Sequence, residues 1–177
     1  LVAAALSLKD AQKRNFYLDF YLNRDTVVDG CGQLSLPSAS KLWFTPDGHW
    51  KEPGGYHNYP VSKLIEAALM LENNGYQIFN QYPILLNASY VMLKYSFPDL
   101  TASAFGDTGR PRQSMECLES AILMADKYQL PILPDLLNAA MILEQAGQYD
   151  RSKSGLTGLL CYLPELPKAK SGDNHLW

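Results

Sequence analysis

Apolar positions along the chain recur mainly with helical spacing. Val61, Leu64, Ile65 and Ala68 follow the i, i+3, i+4, i+7 order that sets one stripe along one face of a helix. Pro60 suits the first turn of that helix, where its missing N–H would have no partner anyway, and Gly75 can take the left-handed conformation that closes it. The same pattern predicts one or two helices over 1–24, Ala-rich first and then aromatic at Phe16, Tyr17, Phe20 and Tyr21. Further helices are predicted over 77–96, stopped by Pro98, and over 113–128, 134–146 and 149–162, punctuated by Pro131, Pro134 and Gly147. Residues 29–59 and 99–112 read as loops rich in turn-forming residues, and no run alternates strongly enough to predict a strand. The expected fold class is all-α.

One internal echo refines this. Leu64–Gly75 (LIEAALMLENNG) aligns with Leu136–Gly147 (LLNAAMILEQAG), sharing Leu, Ala-Ala, Leu-Glu and the closing Gly. With helix hairpins on both sides, the echo favours a repeated helix-pair architecture such as a toroid or solenoid. Residues 1–162 form the expected helical portion. Residues 163–177, with two prolines and many polar groups, read as a linker or the start of a following β-domain.

Composition serves mainly to exclude. The chain has 177 residues, 47% hydrophobic and 19% charged, enough for one sizeable core. A net charge of −3 argues against bulk nucleic-acid binding, which usually shows a basic surplus. The apolar run Leu1–Leu6 is too short to span a bilayer, and no charged segment precedes it, so the chain reads as an excised fragment of a longer protein. Cys31, Cys117 and Cys161 lack CxxC or metal spacing; no disulfide framework is expected, and Cys117 and Cys161 read as buried thiols. The three histidines have no short metal-ligand spacing, and neither a phosphate-cradling GxxxxGK[ST] loop nor a GxSxG motif is present, so no metal or cofactor is expected. His175 is a lone histidine in the tail.

Chemistry concentrates in residues 47–59, DGHWKEPGGYHNY, immediately before the helix at Pro60. Tyrosine, with a pKa of roughly 10, acts as base or acid only where nearby cationic or donating groups stabilise its phenolate. His57, His49 and Lys51 are candidates for that task beside Tyr56. Trp43, Phe44 and Trp50 offer flat apolar faces of the kind that pack on sugar rings, while Gly54 and Gly55 allow close backbone approach. The alternative reading is a loop that merely caps the next helix through Asn58 or Tyr59. Across residues 41–63, three lysines oppose Asp47 and Glu52, leaving one surplus positive charge. A second candidate, Phe105–Arg112, holds Asp107, Arg110 and Arg112; it reads either as an anion-binding loop or as a solvated connector with an internal ion pair.

The segment PDGHWKEPGGYHNYPVSKLIEAALMLENNG resembles the Asp-Gly, Glu and Tyr-His-x-Tyr signature of heparinase II/III-like and related alginate lyases, and the later FGDTGR resembles their Phe-Gly-Asp loop. The resemblance implies an incomplete (α/α) toroid of antiparallel helix hairpins followed by a β-sandwich domain. It implies β-elimination on a uronic-acid polysaccharide, outside the cytoplasm in the periplasm or secreted. Carried over residue by residue, Tyr56 is the tyrosine that takes the C5 proton, with His57 beside it in the catalytic pair. Asn58 and Glu52, with Trp50, His49, Arg110 and Asp107, become substrate contacts, and the partner is an anionic polysaccharide or oligosaccharide. An Asn/His pair before Leu1 and a His motif on the β-domain are also implied, so the chain is expected to hold only part of the site. Two other functions fit the residues: a glycoside hydrolase using Glu52 and Asp107 as its carboxylate pair, and a non-catalytic glycan-binding domain.

Overall fold

The computed structural model describes residues 1–52, 56–102 and 117–148. These residues are mostly helical: α1 (Val2–Leu6), α2 (Ala11–Leu22), α3 (Leu36–Leu42), α4 (Asn58–Glu72), α5 (Ile78–Gln81), α6 (Ile84–Ala88), α7 (Val91–Lys94), α8 (Leu118–Lys127) and α9 (Leu133–Gln145). A short ribbon of β1 (Thr26–Val28) and β2 (Cys31–Gln33) interrupts them. None of the described helices is long and apolar enough to cross a membrane. The helix expected over 149–162, Cys161, the tail from 163 with His175, and both Asp107 and Arg110 lie outside the described residues.

The predicted stripe is the centre of the core. Ile65, Ala68 and Leu71 of α4 are fully buried, as are Ala121 and Ile122 of α8 and Leu136, Ala139 and Ala140 of α9. α4 packs against α1, α5 and α6, and α8 packs against α9. The sequence echo extends to the helix ends. Gly75 N–H bonds to the Glu72 carbonyl and Tyr76 N–H to that of Leu71; Gly147 and Gln148 repeat this on Glu144 and Leu143. Both glycines carry positive φ, 88° and 64°. This is the Schellman arrangement, in which a left-handed glycine satisfies carbonyls that would otherwise be orphaned.

Three expectations are corrected. The stretch 29–59 is not all loop. Asp29 and Gly30, with φ of 50° and 79°, make the tight turn that pairs Thr26 with Gln33 and Val28 with Cys31, as an Asp-Gly pair between β-formers dictates. α3 follows, with Pro37 in its first turn. The continuous helix expected over 77–96 is three short ones. Tyr82, held at φ −126° and ψ 67° by the proline that follows, separates α5 from α6, and Tyr90 at φ −129° separates α6 from α7. Finally, Cys117 is only half-buried, while Cys31 is exposed on β2.

One buried carboxylate ties the two helical halves together. Glu72, at the end of α4, accepts from the Phe79 N–H at 3.1 Å, from Lys127 Nζ at 2.8 Å and from the Tyr128 hydroxyl at 2.5 Å. Glu72→Ala strands the buried Phe79 N–H and the tyrosine hydroxyl. It is expected to lower stability by about 2 kcal/mol in chemical denaturation, with Lys127→Ala costing clearly less because that ammonium is half in water.

Candidate functional site

The chemically dense loop is built on a hairpin. Thr45-Pro46-Asp47-Gly48 turns the chain back with Gly48 N–H on the Thr45 carbonyl at 2.9 Å, after which Thr45 N–H reaches His49 O at 2.8 Å and Phe44 bridges Trp50. Proline second and a left-handed glycine fourth are what such a turn wants. Gly48 has φ +95°, and a Cβ there would lie 2.7 Å from Asn87 Cβ and 2.8 Å from Ala88 N. The hairpin tip therefore rests directly on the backbone at the end of α6.

Asp47 belongs to the frame of this loop. It accepts from the Thr45 hydroxyl at 2.5 Å and from the Tyr95 hydroxyl at 2.7 Å, and these bonds hold its carboxyl below the usual carboxylate range. The same bond pushes the Tyr95 hydroxyl up. The His49 ring lies 4.9 Å from the Tyr95 ring, edge to face, and 5.2 Å from that of His57.

His57 is the most constrained member. It is 0% exposed. Its Nδ1 accepts from the Trp50 N–H at 2.9 Å, and its Nε2 lies 2.8 Å from the Ala88 carbonyl, to which it must donate. These partners fix the neutral tautomer protonated on Nε2. Burial lowers its pKa to about 4. Both ring nitrogens are in use, and both partners are backbone groups. His57 thus fastens the start of α4 to the hairpin and to α6 in a neutral form, which carries no positive charge of the kind that would stabilise a Tyr56 phenolate. It sits at the N-terminal end of α4 without capping it through its side chain.

The remaining candidates surround this fastening. Tyr56 is 44% exposed. Asn58 is the first residue of α4 and half-buried, and Glu52 is exposed and accepts from the Trp50 indole N–H at 2.9 Å. Trp50 stacks on Trp43 with ring centroids 5.5 Å apart and planes within 13°. The two indoles wall a cleft of about 570 Å³ that also takes in Tyr21, Lys63, Glu66 and Met70, and Pro60 lies on its rim. The Tyr21 hydroxyl is buried without a hydrogen-bond partner among the described residues, and burial raises its pKa. Lys63 and Glu66 pair with one another at 2.9 Å.

The structure therefore brings together Trp50, Glu52, His49 and His57, with Tyr56 and Asn58 adjoining them in the chain. The sequence reading missed Tyr95, Tyr21 and the Ala88 carbonyl, which carry no motif and join the site only through tertiary packing. Compared with protein-family models, curated proteins and solved structures, the chain matches none.

Proposed function

We propose that the chain carries part of the active site of a polysaccharide lyase that cleaves an anionic, uronate-containing glycan outside the cytoplasm. Its helices would then be part of an incomplete (α/α) toroid, with a β-sandwich to follow. The observation that carries this reading is the fastening of His57. By locking the loop at Trp50 and Ala88, it holds the neighbouring, half-exposed Tyr56 in the segment between Trp50 and Pro60, both of which line the aromatic cleft.

In the proposed step the Tyr56 phenolate takes the C5 proton of the uronate. The C5–H electron pair becomes the C4=C5 double bond, the C4–O bond breaks, and the leaving oxygen takes the proton back from Tyr56. Neutral His57 cannot supply positive charge to the phenolate, and Lys51 lines a different cleft, so His49 is the described residue of the loop left for that task. Asn58 and Glu52 bind and orient substrate, as Arg110 and Asp107 would from the second loop. Trp43 and Trp50 offer a flat wall for sugar rings.

The test is Tyr56→Phe, assayed on a panel of uronate polysaccharides by ultraviolet absorbance of the unsaturated product. The expected loss is at least about 10²-fold, with unchanged circular dichroism and melting temperature. A variant that keeps both its fold and its turnover overturns the assignment. Product formation without the absorbing double bond would indicate hydrolysis, and binding without turnover a glycan-binding domain.

A further inference from the structure

The hairpin has a second face. Trp43 and Trp50 line the aromatic cleft, while Phe44 and Lys51, their neighbours in the chain, line a different one. This second cleft, about 850 Å³, lies between α3, the hairpin and the α5–α6 segment. Among the described residues its charged lining is Lys41 and Lys51, with no carboxylate, although the chain as a whole carries −3. Neither lysine makes an ion pair among the described residues.

The neutral lining points the same way. The Ser40 Oγ is buried without a hydrogen-bond partner among the described residues, and Asn87 and Tyr82 add an amide and a phenol to the same wall. Pro46 and Pro83 supply exposed apolar surface to the same lining, beside a Phe44 ring that is almost wholly buried. A concavity with two unneutralised ammonium groups, an unpaired hydroxyl and an apolar floor complements a ligand that is itself amphipathic and anionic.

We propose that this cleft binds an oxyanion-bearing sugar unit, its carboxylate or sulfate held by Lys41 and Lys51 and its ring seated on Pro46 and Pro83. The proposal does not rest on Tyr56. Titration calorimetry of the 177-residue chain uses three probes of equal length: an oligogalacturonate, a sulfated dextran oligosaccharide and an unsulfated dextran oligosaccharide. One or both charged probes bind, which distinguishes carboxylate from sulfate, and the uncharged one does not. Combining Lys41→Gln with Lys51→Gln weakens that binding at least tenfold, whereas Tyr56→Phe leaves it within twofold, so failure of this site and failure of the lyase reading remain distinguishable. In the unaltered protein the bound probe protects Lys41 and Lys51 from amine acetylation. Equal affinity in the double lysine variant, equal binding of the uncharged probe, absence of binding by every probe, or lysines acetylated as fast with probe as without would each overturn the proposal.

Discussion

Replacing His57 by alanine is expected to cost about 4 kcal/mol of stability at pH 7.5 and only about 1 kcal/mol at pH 4. The first figure follows from what the ring holds: a Trp50 N–H and an Ala88 carbonyl, both bound to a fully buried side chain. Removing the ring leaves those groups without it and opens a cavity. The second figure follows from linkage. In the unfolded chain His57 titrates at 6.5, whereas burial lowers the folded value to about 4. As pH falls below 6.5 the unfolded state takes up a proton that the folded state refuses. The contribution is thus complete above 6.5 and is lost as pH falls toward 4, amounting to about 3 kcal/mol in all. Denaturant titrations of both proteins at several pH values measure the gap directly, since other titrating groups largely cancel in the difference. A gap that stays constant from pH 7.5 to pH 4 would mean that His57 is not held neutral in the fold.

Gly48→Ala is expected to destabilise by about 4 kcal/mol, combining a left-handed backbone cost with overpacking against α6. Gly75→Ala supplies the reference. Gly75 has a similar φ, +88°, but nothing lies within 4 Å of the Cβ it would gain, whereas the Gly48 Cβ would meet Asn87 and Ala88 inside 3.0 Å. The reference variant should cost only about 1 kcal/mol. Equal losses in the two variants would show that the hairpin tip does not rest on α6 as described. Because Ala88 also receives His57, Gly48→Ala should lower activity along with stability if the loop is the active one.

Those two residues also show where the sequence was legible. The stripe of α4, the run of α9 and the glycines that close them were readable because periodicity and left-handed capping are local properties of ten to fifteen residues. The break at Pro83 is written in the sequence as well, since the residue before a proline is pushed out of the helical region. The Asp29-Gly30 ribbon was overlooked because its strands are only three residues long. His57 is a different case. Its place beside Tyr56 invited a chemical role, yet its Ala88 partner is 31 residues away. Only packing reveals that its nitrogens are already engaged. Tyr95 reaches Asp47 across 48 residues for the same reason.

The Trp43–Lys51 hairpin is a wall shared by two chambers, and Phe44 couples them: it lines the cationic chamber while its ring meets that of Trp50 edge to face at 5.2 Å. A substitution at Trp43 alters the aromatic chamber and one at Lys51 the cationic chamber, whereas one at Trp50 or Phe44 reaches both. Point changes can therefore tune ligand preference here one chamber at a time or in both together.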